Sequence, residues 1–182
     1  MVRKDIVSRR SCEISHPWQG RSCKMIILRS ILAVVIGGVI AFAVIKGIET
    51  ANFLIYRPAD GKSITEQMKE LEDPINAKTY FESLPSNAFV MVLLAWQAGA
   101  FLGGGVAAWI AARARLVHAG IVGGMVLGNT IYILFTIKST YDFSHPDWMI
   151  VLGLLLPLPV SLLAGKLVSI LVPTPVAPVS NP

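Results

Sequence analysis

The sequence contains few charged residues and few cysteines, and its charges are unevenly placed. Only 15% of the 182 residues are Asp, Glu, Lys or Arg, and two are cysteines. Four stretches have no charge: residues 30–45, 83–112, 116–137 and 148–165, which are 16, 30, 22 and 18 residues long. These lengths bracket the roughly 20 apolar residues that cross a bilayer. The sequence is also 54% hydrophobic, against roughly 45–50% in soluble domains. Together, the charge-free runs and this composition exclude a soluble globular protein.

The sequence also lacks the motifs of catalysis, redox chemistry and metal binding. No Cys-x-x-Cys, His-Glu-x-x-His or Gly-x-Ser-x-Gly pattern occurs. His16, His118 and His145 fall in three separate polar segments. Cys12 and Cys23 flank His16, but a zinc site would need a fourth ligand, so two reduced thiols are expected. The sequence therefore predicts no enzyme, no cofactor and no bound metal.

The charge-free runs predict an all-α fold, a polytopic membrane protein with four transmembrane helices in a compact bundle. The expected helices span about residues 26–48, 87–112, 117–137 and 148–166. The first should continue to Tyr56 as an amphipathic extension. About four residues separate the second helix from the third, so these two should form an antiparallel hairpin. Pro157 and Pro159 should kink or break the fourth helix.

Polar segments flank and join these helices. Residues 1–25 are basic and should be disordered or lie on the membrane surface, and residues 173–182 form a Pro-rich tail. Within the extracytoplasmic loop of residues 57–86, Ser63-Ile64-Thr65-Glu66 is a capping box, and Asp73-Pro74 is an N-cap followed by proline. We expect two short helices there, lying on lipid headgroups or over one mouth of the bundle.

Two alternatives remain open for the N-terminal segment. Basic residues before an apolar run, with Ala41-Phe42-Ala43 as a small-x-small site, also match a cleaved signal peptide. Arg29 interrupts that apolar run and apolar character continues to Ile45, so an uncleaved first helix is preferred. Alternatively, translation starts at Met25, where the apolar pattern begins.

The distribution of Lys and Arg predicts a multi-pass protein of the cell inner membrane with both termini in the cytoplasm. Ten of the 16 Lys and Arg lie on the side of the termini and six on the side of the long loop. Cytoplasmic segments carry the excess of these residues. If translation starts at Met25, the first count falls to four and the rule no longer decides. The turn containing Arg113 and Arg115 has only basic charges, which favours the same orientation.

Small residues recur at every fourth position of the apolar segments, which predicts tight helix packing, since lipid gives helices no hydrophobic reason to associate. The predicted packing positions are Gly37, Gly99, Gly103, Gly120, Gly124, Gly128 and Gly165. The third helix, which carries three of them, should pack against the second. The run Gly103-Gly104-Gly105 could instead cradle a phosphate, but its fit to the small-residue stripes favours packing. The same ridges could also join subunits of a homo-oligomer or a membrane-protein partner.

Three polar residues within the apolar segments are candidate site residues: Glu49, Gln97 and Asn129. At about 1.5 Å per residue, Gln97 and Asn129 come to similar depths below Glu49 and Asn52. Such residues are costly in a membrane and often functional. A functional interpretation makes Glu49 a proton or cation site lined by the two amides. A structural interpretation bonds the amides to each other and pairs Glu49 with Lys46, and the lack of a second buried carboxylate favours it.

Three motifs, taken in order, resemble those of known proteins. They are Glu49 to Tyr56-Arg57-Pro58, then Val92-Leu93-Leu94-Ala95-Trp96 leading into Gly99-Ala100-Phe101-Leu102-Gly103-Gly104, then His145-Pro146-Asp147-Trp148. Over about residues 26–166 the chain resembles an uncharacterised family of small four-helix bacterial integral membrane proteins. The resemblance implies the four-helix membrane fold and brings no activity, cofactor or catalytic residue.

The sequence predicts the lipid bilayer as the first partner and no binding of nucleic acid. Two functional hypotheses follow. The favoured one is a structural or accessory membrane protein that binds a partner or lipid through its small-residue ridges. The alternative is a small oligomeric transporter or channel that uses a polar cluster around Glu49. A water-accessible cavity reaching Glu49 would favour the alternative.

Overall fold

The computed structural model describes residues 17–111 and 113–172, and this part of the chain is all-helical. In chain order the helices are α1 (Pro17–Tyr56), α2 (Ile64–Glu70), α3 (Pro74–Ser83), α4 (Ser86–Ala111), α5 (Arg115–Tyr141), α6 (Asp147–Leu155) and α7 (Pro157–Leu171). The spans Ile27–Tyr56, Ser86–Ala111, Arg115–Tyr141 and Asp147–Leu171 are long and apolar enough to cross a membrane. These four spans pack together, which confirms the predicted polytopic four-helix bundle.

The first helix is longer than the sequence analysis predicted. It begins at Pro17, so residues 17–25 are helical where a disordered or surface segment was expected, while its membrane-spanning part begins at Ile27, close to the predicted start. The physical reason is that no proline follows Pro17 until Pro58, and proline at a helix start is already set to the helical φ. Residues 1–16 and the tail of residues 173–182 lie outside the described residues, as do Cys12 and His16.

The local signals for helix ends are confirmed. Ser63 accepts a hydrogen bond from the Glu66 backbone N–H at 3.3 Å, and Glu66 accepts one from the Ser63 N–H at 2.9 Å, which completes the capping box of α2. Asp73 caps α3, accepting from the Ile75 N–H at 2.9 Å. The fourth span breaks between α6 and α7 at Pro157, as the prolines predicted.

α1 and α4 touch through their backbones, and this contact forms the centre of the bundle. A Cβ added at Gly99 would lie 2.6 Å from Ile45 Cγ1 and 2.8 Å from the Ala41 carbonyl oxygen. A Cβ at Gly103 would lie 2.6 Å from Ala41 Cβ, and one at Gly37 would lie 2.7 Å from the Gly103 carbonyl oxygen. Real Cβ atoms do not approach so closely, so these positions of the interface admit only glycine.

A second small-residue contact joins α4, α5 and α7 around Ser161. Gly104 and Gly123 both face Ser161, and a Cβ at Gly123 would lie 2.7 Å from the Ser161 Cβ. The Ser161 hydroxyl is fully buried and donates to the Ala119 carbonyl oxygen at 2.6 Å. One turn further along α7, a Cβ at Gly165 would lie 2.6 Å from Ala119 Cβ. The small side chains of α7 thus bring it against two helices at once.

The glycines predicted on the third helix do not form the expected contact with the second. Gly124 and Gly128 are exposed, and a Cβ added at either would meet no atom within 4 Å. Gly120 has only an ordinary contact, 3.4 Å from Leu162 Cδ2 of α7. Gly123, one residue before Gly124, is the packing glycine instead. Neighbouring residues of a helix point about 100° apart, so the true contact face of α5 is displaced by one residue from the predicted stripe.

Arginines bind backbone carbonyl groups at the end of the bundle opposite α2 and α3. Arg29 Nε donates to the Ile110 carbonyl oxygen of α4 at 2.6 Å. Arg115 is buried and donates to the carbonyl oxygens of Val168 and Val172 at the end of α7. The last carbonyls of a helix lack the usual partner within it and carry partial negative charge. A guanidinium there supplies both a hydrogen bond and a compensating positive charge. We call this end the basic end, and the end covered by α2 and α3 the cap end.

We predict that Gly103→Leu destabilises the protein and that Gly128→Leu does not. The leucine at position 103 must force α1 and α4 apart, and overpacking of this kind typically costs about 1–3 kcal/mol. The leucine at position 128 enters open space on the exposed face of α5. Thermal unfolding in detergent measures both variants. A wild-type melting temperature for Gly103→Leu would contradict the proposed contact.

Candidate functional site

A cavity of about 600 Å³ lies at the cap end, between α1, α3, α4 and α5. Its volume is within the roughly 300–1,000 Å³ of sites for small molecules. The cap contributes Met68, Leu71, Tyr80, Phe81 and Leu84; the spans contribute Lys46, Glu49, Asn52, Phe53, Ala88, Phe89, Val92, Trp96, Tyr132, Ile133, Thr136, Ile137 and Tyr141; His145 completes it. Most of these side chains are aliphatic or aromatic, so the cavity suits a ligand that is largely apolar.

Aromatic rings form a continuous seam that holds the cap over the cavity. Phe53 of α1 meets Tyr80 of α3 edge-on at 6.2 Å between ring centroids. Phe81 of α3 stacks on Phe143 at 5.4 Å, and Phe143 stacks on Phe89 of α4 at 6.1 Å. Pairs of this kind stabilise by about 0.5–1.5 kcal/mol beyond the area they bury. The cap is therefore packed onto the bundle and not simply tethered to it.

An ion pair adds a second link between the cap and the bundle. Lys78 of α3 donates to the Asp142 carboxylate at 2.9 Å, in the loop that follows α5. This pair raises the pKa of Lys78 and lowers the pKa of Asp142, because each charge stabilises the other. Both groups are solvent-exposed, so the aromatic seam remains the main attachment.

Glu49 is the acidic group of the cavity. Its Oε2 accepts from Lys46 Nζ at 2.7 Å, which is the pairing expected from the sequence, and its Oε1 accepts from Trp96 Nε1 at 3.3 Å. The Glu49 side chain is 21% exposed and that of Lys46 is 67% exposed. The carboxylate therefore lies inside the cavity wall while the ammonium lies at its rim, where an ion pair contributes little to stability.

Asn52 provides a buried hydrogen-bond acceptor without a donor. It lies one turn after Glu49 on α1, lines the same cavity and is only 7% exposed. Its Oδ1 is buried and has no hydrogen-bond partner among the described residues. Leaving such an atom unpaired costs about 1–3 kcal/mol. A rotation of the Asn52 side chain that turns Oδ1 into the cavity would let a ligand that donates a hydrogen bond satisfy this acceptor.

Trp96 closes the cavity on the side of the membrane centre. Its ring is fully buried, and a Cβ added at Gly153 of α6 would lie 2.8 Å from Trp96 Cζ3. Immediately below, Ile45 packs onto Gly99 where α1 and α4 touch. The cavity therefore ends at the level of Trp96, and the contact of α1 with α4 separates it from the basic end.

The structure places the three predicted site residues in different surroundings. Glu49 lines the cavity, but Gln97 and Asn129 do not, and the two amides do not bond to each other. Both side-chain polar atoms of Gln97 and Nδ2 of Asn129 are buried without a partner among the described residues. Gln97 follows Trp96, so it points about 100° away from the cavity. Asn129 lies on the face of α5 that carries Ile133 and Thr136, but below the cavity.

Sequence reasoning placed Asn52 beside Glu49 at the outer end of the first helix but missed Trp96 as a partner of Glu49. The spacing of three from Glu49 to Asn52 puts both on one face of α1, and this signal was present in the sequence. Trp96 gave a weaker signal, as a tryptophan deeper than an interfacial belt requires. Its pairing with Glu49 joins residues 47 positions apart and depends on how α1 and α4 meet.

No cluster of three His, Cys, Asp or Glu able to hold a metal ion occurs in residues 17–111 and 113–172. The ionisable groups of the cavity other than tyrosines are Lys46, Glu49 and His145. Comparison of the chain with protein-family models, with curated proteins and with solved structures finds no match in any of the three. The properties of the cavity therefore rest on its own geometry.

We predict that protonation of His145 destabilises the cap. His145 is 7% exposed between the rings of Phe89 and Phe143, and this burial lowers its pKa from the ordinary value of 6.5. The unfolded chain then binds a proton more readily than the folded one, so the stability that the neutral ring contributes is lost as the pH falls below 6.5. Unfolding of wild type and His145→Phe in detergent between pH 8 and pH 5, roughly one unit or more either side of a free histidine, measures this difference.

The expected result is a steeper loss of stability with falling pH in wild type than in His145→Phe. The phenylalanine keeps the aromatic contacts and cannot take up a proton. Parallel pH profiles for the two proteins would show that His145 does not couple proton binding to folding.

Proposed function

We propose that this is an accessory multi-pass protein of the cell inner membrane that binds a lipid or another amphiphilic molecule in the cap-end cavity, and that it is not an enzyme. The observation that carries the proposal is a cavity with mostly apolar walls and a few polar groups. Lys46, Glu49 and Asn52 cluster on the α1 wall, Thr136 and His145 add polar groups elsewhere, and most of the remaining lining is aromatic or aliphatic. Such a site matches a molecule with one polar end and one hydrocarbon end.

The position of the cavity along the membrane normal supports the same ligand class. The span Ile27–Tyr56 is 30 residues long, or about 45 Å, against a hydrocarbon core of about 30 Å. Glu49 lies seven residues, about 10 Å, from the end of this span, near the level of lipid headgroups. An amphiphile in the cavity could keep its polar end at that level and its chain among the aromatic rings.

The small-residue ridges offer less support for partner binding than the cavity does. Gly99, Gly103 and Gly104 face other helices of the same chain. Gly124 and Gly128 on α5 stay uncovered and face the exposed side of the bundle, where a second copy, a partner or lipid would meet them. The proposal therefore assigns ligand binding to the cavity, with the bilayer as the general partner and no nucleic acid.

The chemistry of the cavity supports binding more than catalysis. Glu49 is engaged by Lys46 and Trp96, and His145 is packed between Phe89 and Phe143. Catalysis by proton transfer or nucleophilic attack needs a base within hydrogen-bond reach of a reacting group. Neither the Glu49 carboxylate nor the His145 imidazole is hydrogen-bonded to a side-chain hydroxyl or thiol among the described residues.

A small oligomeric transporter or channel is the second candidate, and one observation favours it. The cavity reaches Glu49, as a proton or cation pathway would require. Against it, the contact of α1 with α4 closes the bundle below Trp96, so transport would need these helices to separate. Uptake of protons or monovalent cations into proteoliposomes, with Glu49→Gln as control, tests this candidate. Uptake that depends on Glu49 would replace binding by transport as the function.

Bromine quenching of Trp96 tests the binding proposal. A variant with Phe at positions 18, 109 and 148 keeps Trp96 as its single tryptophan, and this ring is fully buried yet lines the cavity. In nanodiscs of brominated phosphatidylcholine, we expect quenching of Trp96 because an acyl chain enters the cavity. A matched variant that keeps only Trp109, which is 61% exposed, reports quenching by bulk lipid.

A cavity-filling variant separates bound lipid from lipid that merely surrounds the bundle. Thr136→Phe places a ring in the cavity, whereas Thr140→Phe lies four residues further on the same helix, is exposed and does not line it. Quenching should fall in the first variant and persist in the second. Equal quenching in both, or none in the parent protein, would contradict ligand binding in the cavity.

The orientation is a separate part of the proposal, with both termini and the basic end in the cytoplasm. Arg29, Arg113, Arg115 and Lys166 lie at the basic end. Residues 27–45, 87–137 and 148–172, which include that end, contain no Asp or Glu. An excess of Lys and Arg is typical of cytoplasmic segments, which supports this orientation. Reporter fusions at Asp73 and Arg115 test it. A cytoplasm-only reporter should be active at Arg115 and inactive at Asp73, and activity at Asp73 would reverse the orientation.

A further inference from the structure

Two hydrogen-bond acceptors on the α1 wall of the cavity, in Glu49 and Asn52, have unused bonding capacity. Asn52 is more than nine-tenths buried and its Oδ1 has no donor among the described residues. Glu49 Oε1 has only the long bond of 3.3 Å from Trp96. Glu49 and Asn52 are three residues apart on α1, so their side chains point to the same face. A ligand group that donates several hydrogen bonds would satisfy both.

The cap end is also negatively charged overall. Residues 46–86 and 138–147 contain nine Asp and Glu and six Lys and Arg, which gives a net charge of −3. A local excess of negative charge raises the concentration of cations near the opening and disfavours anions. The donor group that fits this end is therefore a cationic one.

The walls next to the acceptors favour a cation as well. The rings of Phe53, Tyr80 and Trp96 line the same cavity as Glu49 and Asn52. The face of an aromatic ring carries partial negative charge and attracts an ammonium group, most strongly for tryptophan. Trp96 is fully buried and turns its N–H edge to Glu49, so the partly exposed rings of Phe53 and Tyr80 are the ones available to the charge and the hydrocarbon of such a ligand.

We propose that the cavity selects amphiphiles whose head is a protonated primary amine. The three N–H groups of the ammonium donate to Glu49 and to Asn52 Oδ1, and the hydrocarbon lies against the aromatic and aliphatic walls. This inference rests on the proposed function, because it names the ligand class of the same cavity. The ethanolamine headgroup of a phospholipid and a free alkylamine both carry this chemistry.

Lys46 is the internal competitor of such a ligand. Its ammonium occupies Glu49 Oε2, but the side chain is two-thirds exposed and can turn outward to solvent or headgroups. Removing Lys46 should therefore strengthen ligand binding, while removing the charge of Glu49 should weaken it. A general structural perturbation would weaken binding in both variants. Opposite changes in affinity therefore indicate that Lys46 and the ligand compete for the Glu49 carboxylate.

The experiment titrates the Trp96-only protein, in nanodiscs of unbrominated phosphatidylcholine, with amphiphiles brominated at the chain end. The probes are 10-bromodecylammonium, its trimethylammonium analogue, 10-bromodecanol and 10-bromodecyl sulfate, and the Trp109-only protein corrects for their partition into lipid. We expect the primary ammonium to bind at least about tenfold more tightly than the alcohol, which corresponds to one charge-assisted interaction. The trimethylammonium probe should bind more weakly, since it has no N–H for Asn52.

Variants then test the assigned contacts. Glu49→Gln should lose about tenfold in affinity for the primary ammonium, and Lys46→Gln should gain severalfold. Asn52→Leu should abolish the preference for the primary over the trimethylammonium head. Glu82→Gln, a carboxylate that is exposed and outside the cavity lining, should bind like wild type.

The outcomes distinguish this inference from the proposed function on which it rests. If the alcohol binds as tightly as the ammonium and Glu49→Gln has no effect, the cavity binds amphiphiles without selecting amines and only the inference is overturned. Tighter binding of the sulfate overturns it too. If no probe quenches Trp96, the proposed function fails as well. Brominated phosphatidylethanolamine, compared with phosphatidylcholine, then shows whether the lipid headgroup or only the free amine is selected.

Discussion

The backbone contact between α1 and α4 is the constraint on which the remaining structure depends. Gly99 and Gly103 bring α4 against Ala41 and Gly37 so closely that no additional carbon fits between them. Van der Waals contact of this kind replaces the hydrophobic effect, which lipid does not supply between helices. Towards the cap end the same face of α4 carries Trp96 and bulkier residues in place of glycine. The cavity lies beside these residues, between α1, α3, α4 and α5.

The helices touch through small residues at the basic end and in the middle of the bundle, and the charged side chains lie towards its two ends. At the basic end, Arg29 and Arg115 donate to carbonyl oxygens at the ends of α4 and α7. At the cap end, Glu49 and Asn52 face a cavity that the aromatic seam covers. The short helices α2 and α3 act as a lid packed by rings such as Phe81 and Phe143. This division of roles suits a protein that presents one apolar, selective site near the membrane surface.

The sequence predicted those features whose causes are local. The caps of α2 and α3 follow from side chains within three residues of each other, and the break before α7 follows from Pro157 alone. The sequence predicted helix contacts less well, because these depend on the direction in which a helix face points. Gly124 and Gly128 repeat the spacing of a packing stripe, but α7 meets α5 at Gly123. The start of α1 was missed because composition marks the membrane boundary and not the end of a helix.

By itself the sequence determined the membrane character, the four spans and the short helices of the cap, because length, charge-free runs and capping patterns act within a segment. Only the tertiary structure decided which residues form the site. Glu49 and Trp96 are 47 positions apart, and they meet because α1 and α4 pack at one rotational setting. The same setting turns Gln97 away from Glu49 and leaves Asn52 Oδ1 without a hydrogen-bond partner in the described part of the chain. Rotation of one helix against another depends on contacts along its whole length, and no local pattern contains that information.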